Sequence, residues 1–363
     1  MFNMRLEIVM NIFSRRVGVA GTVNEAVKQK SMQAFVKVAG TGCCLPHAKR
    51  MSADIDRELK RKAGKTEART GVRERRMVTH ETSSSMAVMA AKDAISSANR
   101  KATDIDLIIS ACAVPEQPIP AMAPLIQAGL GLGATGIPAF DINASCLSFV
   151  TAFDLAAQLI EAKRFRNVLV VSSEIASRAL PWSSDPDTAA MFGDGAAAAV
   201  LSSSETRSGG LAASHFETWS KGYHDCELAA GGTRYDFHTD RDAFAMAAQF
   251  RMDGRAAYRL AAKVIQPFLQ NLLDKAGWIV DEIDLVVPHQ ASRGALDHLI
   301  AKLNIPRSKI IDIIADHGNQ IAASIPMALH HAMRGGLIRS KMKVLVIGTS
   351  AGFSIGGLCL EIP

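Results

Sequence analysis

The chain has 363 residues, 48% of them hydrophobic and 21% charged, with a formal net charge of +6 and a pI near 9.0. That length admits one large core or two smaller ones, and the composition is that of an ordinary soluble globular protein. No apolar run approaches twenty residues, which argues against a membrane span, and no basic tract interleaved with aromatics argues for nucleic acid, so the charge suits an acidic carrier protein or a phosphorylated cofactor.

Residues 1–33 differ from the rest. Ser14-Arg15-Arg16 superficially resembles a twin-arginine signal, but the apolar run behind it ends at Asn24, too short for export. The stretch is expected to be a poorly ordered extension and is assigned no function. From Ala34 onward a regular pattern sets in. A helical stretch over 84–99 precedes the apolar run Asp104-Ile-Asp-Leu-Ile-Ile109, followed later by strand-like Asn167-Val-Leu-Val-Val171 and Ala196–Leu201. The same order returns as a helix over 256–276, then Glu282-Ile-Asp-Leu-Val-Val287, Lys343-Val-Leu-Val-Ile347 and Gly356–Ile362. Apolar runs of this kind between longer helical patterns indicate buried strands and an α/β fold. The matched order predicts two duplicated halves, 34–206 and 207–363, that meet in the Ser- and Gly-rich stretch Ser202–Gly210.

The six cysteines (43, 44, 112, 146, 226 and 359) form no CxxC pair and no metal-ligand spacing. No metal site is expected, and a reducing cytoplasmic compartment is. Cys43, Cys44, Cys112 and Cys359 stand in apolar or small-residue runs and are read as small core hydrophobes, while Cys226 gives no signal. Cys146 is different. In Asp141-Ile-Asn-Ala-Ser-Cys-Leu-Ser-Phe-Val150 an extended run gives way to a helix over 147–162, with Leu147, Val150, Phe153, Leu155, Leu159 and Ile160 largely on one side. Cys146 then falls at the first turn, where unpaired N–H groups would stabilise a thiolate and depress the thiol pKa. Taken alone, such a cysteine is more often structural.

His289 follows a buried strand and Pro288, so it should project from a strand end, where α/β folds commonly place functional groups. A histidine satisfied by the backbone is the plain alternative. Asn319 follows Gly318 and precedes a helix from about Ala323, a place that also suits a turn or cap residue. A thiolate nucleophile with two donors is what carbon–carbon bond formation on thioesters requires.

Five blocks stand in order around these residues: Thr70-Gly71-Val72-Arg73-Glu74-Arg75, Phe192-Gly193-Asp194-Gly195, Pro288-His289-Gln290-Ala291, His317-Gly318-Asn319 and Ala351-Gly352-Phe353. With Cys146 they make residues 34–363 resemble the ketoacyl-acyl carrier protein synthase III family of the thiolase superfamily. The resemblance implies a five-layered αβαβα fold of two duplicated halves, a homodimer, and a ping-pong reaction. Cys146 would take an acyl group from a coenzyme A or carrier-protein thioester, and malonyl-acyl carrier protein would follow. Loss of carbon dioxide would then give a carbanion that attacks the acyl-enzyme. It further implies that His289 and Asn319 stabilise the enolate and that the N–H groups of Cys146 and Ala351 form the oxyanion hole. Met191, Phe192, Phe353 and Ile119 would shape the acyl pocket. No permanently bound cofactor is implied.

Some expected groups have changed. A Trp and an Arg that grip the adenine of coenzyme A are matched by Lys65 and Pro186, and an Asn after the catalytic His by Ser292, whereas an Arg before the Thr-Gly block is kept as Arg69. Arg251, Arg255 and Arg259, four apart on an expected helix, would make a basic stripe for carrier docking; a solvated face is the plain alternative. A branch that joins two long acyl chains uses a Glu before a Pro, and Ile119 before Pro120 removes that reading. A branch that acylates alcohols or amines without condensation typically has Asp where Asn319 stands and is the alternative retained. A silent partner subunit would have lost Cys146 or His289.

Overall fold

The computed structural model describes residues 34–204 and 208–363. The extension 1–33 and the boundary at 206/207 fall outside the described residues. The strands of the two main sheets are, in chain order, β1 (Val36–Cys44), β2 (Leu107–Ser110), β3 (Ala139–Asp141), β4 (Asn167–Glu174) and β5 (Gly195–Ser203). They are followed by β6 (Gly210–Thr218), β7 (Leu285–Pro288), β8 (Lys343–Ser350) and β9 (Ser354–Glu361). The longer helices are α1 (Ser83–Ser97), α2 (Met122–Gly129), α3 (Ser148–Glu161), α4 (Gly254–Ala276), α5 (Arg293–Leu303) and α6 (Ser324–Arg334).

The first sheet runs β1-β5-β4-β2-β3 and the second β6-β9-β8-β7. In each, two antiparallel pairings are followed by a parallel one: β1/β5, β5/β4 and β4/β2 match β6/β9, β9/β8 and β8/β7. The counterpart of β3 is a single parallel bridge, Val286 to Ile310, beside β7. The internal repeat expected from sequence is therefore a repeat of strand order and direction.

Why the strands read as unbroken apolar runs follows from their burial on both faces. Along β4, Val168 and Val170 face a central core, while Leu169 and Val171 face an outer one. Along β8, Val344 and Val346 face the same central core, and Leu345 and Ile347 a second outer one. Helices α3 and α6 fill the space between the sheets; α1 and α2 cover one outer face, α4 and α5 the other. The result is five layers, αβαβα. Phe149, Phe153 and Ile160 of α3 are buried with Ala152, Ala156 and Ala157, each large side chain contributing about 1.5–3 kcal/mol. Leu155, placed with the apolar side by sequence, lies on the outer side and is 38% exposed. Cys112 and Cys359 are buried as expected, but Cys43 and Cys44 are only part-buried at the end of edge strand β1.

Candidate active site

The turn between β3 and α3 is wound tightly. Ser145 takes φ +52°, its N–H donates to Asn143 Oδ1 at 2.9 Å, and Ser148 Oγ donates to the Ser145 carbonyl at 2.7 Å. Asn143 Nδ2 in turn donates to the Ala113 carbonyl at 2.8 Å. This winding turns Cys146 out of the core and onto a cavity of about 1150 Å³. The helix begins at Ser148 with Leu147 as its cap, so Cys146 stands just outside the first turn rather than in it.

The expected depressed thiol is corrected as well. Burial pushes the Cys146 thiol up to about 12, and the buried Glu174 carboxyl adds to it. The N–H groups of Ala351 and of Cys146 itself pull the other way. His289 is buried, which lowers it to about 4, so the resting thiol and imidazole are both neutral at pH 7. Its N–H donates to the Ile347 carbonyl at 2.8 Å, and Gly348 lets it sit close, since a Cβ there would lie 2.9 Å from His289 Cβ.

Asn319 is buried and fully oriented. Its Oδ1 accepts from the Ile321 N–H at 2.8 Å, and its Nδ2 donates to the Ala291 carbonyl at 3.2 Å, which leaves one amide hydrogen for the cavity. It caps no helix: α6 is preceded by a 3-10 turn, Ile321–Ala323. The distant sequence blocks are the frame of this loop. Asn319 N–H donates to the Met191 carbonyl at 2.8 Å and Gly193 N–H to the Asn319 carbonyl at 3.1 Å. Arg75, fully buried, donates to the Ala190 carbonyl at 2.7 Å and to Ser52 Oγ at 2.9 Å. A Cβ on Gly193 would sit 2.3 Å from the His317 carbonyl oxygen. Gly193→Ala is therefore expected to destabilise the fold by about 1–3 kcal/mol, read as a lower denaturant midpoint.

Glu174 ends β4 near Cys146, wholly buried, accepting from the N–H of Ala113 at 2.6 Å and of Val114 at 3.4 Å. Burial pushes its carboxyl up to about 8, from an ordinary 4.5. The folded chain thus keeps a proton that the unfolded chain releases, so this group's stabilising contribution is complete below about pH 4.5 and is lost as pH rises to about 8. Glu174→Gln is expected to make stability less dependent on pH across that window, measured as unfolding midpoints in a pH series. Sequence reading passed over Glu174, although a charged residue closing an apolar strand was its signal.

The remaining residues singled out from sequence divide. Met191, Phe192, Ser292, Ala351 and Phe353 line the cavity with Cys146, His289 and Asn319. Phe192 packs edge-on against Phe250 at 5.2 Å, and Ser292 caps α5 by accepting from the Ala295 N–H at 3.1 Å. Ile119 does not line it: within one chain it is 87% exposed, on a loop that turns outward. Arg69 is also off the cavity and is tied to Asp187 at 2.7 Å. Arg251 is not on the helix, because Asp253 caps α4 one residue before Gly254; Arg251 sits in a two-residue strand and pairs with Glu227. Arg255 and Arg259 are exposed on α4 as expected. Cys226, Tyr258 and His298 line the cavity without having been foreseen.

The family model described as 3-oxoacyl-(acyl-carrier-protein) synthase III matches residues 140–220, and its C-terminal counterpart matches 273–362. The beta-ketoacyl-(acyl-carrier-protein) synthase III of Aquifex aeolicus is 35% identical over 90% of this chain and 99% of its own. That of Neisseria gonorrhoeae is 32% identical over 90% and 99%. A priming β-ketosynthase from the R1128 polyketide pathway superposes with a TM-score of 0.82 at 27% identity, covering 92% of this chain and 98% of its own.

Proposed function

The chain belongs to the 3-oxoacyl-(acyl-carrier-protein) synthase III family, and on that premise we propose how its residues carry out the reaction. It is an acyltransferase of the condensing kind, joining an acyl thioester to malonyl-acyl carrier protein with loss of carbon dioxide. Cys146 sulfur attacks the acyl carbonyl, the donor thiol departs with the thiol proton, and an acyl-Cys146 thioester remains. The N–H groups of Cys146 and Ala351 hold the oxyanion. Malonyl thioester then enters; its carboxylate leaves as carbon dioxide, and the electron pair moves onto the thioester as an enolate. Neutral His289 and the spare amide hydrogen of Asn319 donate to the enolate oxygen. The carbanion attacks the acyl carbon, the bond to sulfur breaks with its electron pair on sulfur, a proton from solvent restores the Cys146 thiol, and 3-oxoacyl-acyl carrier protein departs.

The observation that supports this reading best is that Cys146, His289 and Asn319 open onto one largely apolar cavity. Release of labelled carbon dioxide from malonyl-acyl carrier protein, across a panel of coenzyme A and carrier-borne acyl donors, tests it. Donor-dependent release with a 3-oxoacyl product is expected. Acylation of Cys146 without any carbon dioxide would leave transfer to an alcohol or amine as the activity.

Arg255 and Arg259, exposed one turn apart on α4, are proposed to dock the acidic carrier. Lys65 and Pro186 offer no aromatic face to an adenine, and the neighbouring Asp187 is occupied by Arg61 and Arg69, which favours a carrier-borne donor or an unusual coenzyme A ester. We place the enzyme in the cytoplasm, since all six cysteines are free, and no described helix is long and apolar enough to cross a membrane. A homodimer is also proposed. β3 is an edge strand, and Phe140 on it, Leu125 on α2 and Ile119 are exposed apolar groups that a second copy would cover.

A further inference from the structure

Away from the cavity, three potential ligands from distant parts of the chain converge. Strand β1 lies directly on α1 because Gly40 and Gly42 leave room: a Cβ on Gly42 would sit 2.3 Å from the Ala90 carbonyl oxygen and from the Ala94 nitrogen. The close approach brings Cys43, at the end of β1, against Asp93 on α1. Helix α6 packs over the same strand and adds His330, which is buried. One ligand atom from each of Cys43, Asp93 and His330 lies within 4.8 Å of the others.

Each of the three keeps an atom for a metal. Asp93 Oδ2 accepts from the Cys43 N–H at 3.1 Å, and Oδ1 remains. His330 Nδ1 meets Thr41 Oγ1 at 3.2 Å. With that nitrogen as the donor, Nε2 carries a free lone pair in a ring already held in place, which is how metal-ligating histidines are commonly oriented. The Cys43 sulfur accepts no hydrogen bond among those of the described residues.

We propose that Cys43, Asp93 and His330 bind one zinc ion, which clips β1 and α1 to α6. A thiolate, an imidazole and a carboxylate select zinc over magnesium or calcium, and three protein ligands leave a fourth position for water. Ligand atoms around tetrahedral zinc are separated by roughly 3.3–3.8 Å for bonds of about 2.0–2.3 Å, so the three, within 4.8 Å of one another, would have to draw together by about an ångström on binding. Arg334 stands near both Cys43 and His330 and opposes a cation. The two anionic ligands outweigh that single guanidinium. Sequence spacing gave no sign of the site, because its residues come from three separate elements.

The full chain, stripped of metal and dialysed against zinc, is expected to retain one zinc per chain by elemental analysis. Cobalt in its place should give a thiolate charge-transfer band and the strong visible absorption of a tetrahedral site. Cys43→Ser and His330→Gln should each lose both signals, with Asp93→Asn standing in for any variant that does not fold. Cys146→Ala should keep both. Zinc should raise the melting temperature of the native chain but not of Cys43→Ser, whose condensing rate should be unchanged. Stoichiometric metal that survives in Cys43→Ser and His330→Gln, or that disappears in Cys146→Ala, assigns the ion to other residues and overturns the site. A native chain that retains no zinc overturns it too.

Discussion

Cys146→Ala is expected to abolish acyl-enzyme formation and to lower condensation on the order of 10³-fold or more, with the fold intact. The side chain is part-exposed to the cavity, so its loss removes little packing, and alanine keeps the N–H that faces the oxyanion. Only the sulfur is gone. Intact mass after incubation with an acyl donor reads the effect directly: the native chain gains one acyl group, the variant none. The native thiol rests near 12, so its reactivity has to come from the bound state. The N–H groups of Cys146 and Ala351 would stabilise the oxyanion that develops on the donor carbonyl as the sulfur attacks and gives up its proton. Should the alanine variant still gain an acyl group, the nucleophile is another thiol, and Cys226 on the same cavity would be the first to examine.

The sheets were legible because strands buried on both faces have to be apolar throughout, as in Asn167–Val171 and Lys343–Ile347. Cys146, His289 and Asn319 could be singled out because each stands at a strand end or a forced turn, and the fold brings all three to one cavity. What was not legible depended on distances that sequence does not encode. The pKa of Cys146 is set by burial and by Glu174, a strand away, and local helix position could not reveal that. Arg251 kept the four-residue spacing of a helix face, yet Asp253 starts the helix after it. Ile119 matches a family pocket position, but in a single chain its loop points into solvent. The cluster of Cys43, Asp93 and His330 depends on glycines that let a strand touch a helix.

The second large effect separates the two half-reactions. Asn319→Ala and His289→Ala are each expected to retain acylation of Cys146 and to slow carbon dioxide release by about 10²–10³-fold, the usual effect of removing one donor from a developing oxyanion. Because both donate to the same oxygen, the double variant should fall short of the product of the two losses. Asn319→Asp should be worse than alanine. One carboxylate oxygen can still accept from the Ile321 N–H, but the other would face the Ala291 carbonyl and the enolate, where it repels both. The pH profile gives an independent reading. With His289 titrating near 4, the imidazole stays a neutral donor through pH 6.5, and the acid limb of malonyl decarboxylation should lie closer to 4 than to 6.5. Equal losses of acylation and decarboxylation in Asn319→Ala would mean that Asn319 shapes the cavity for both steps, and its assignment to the enolate would fail.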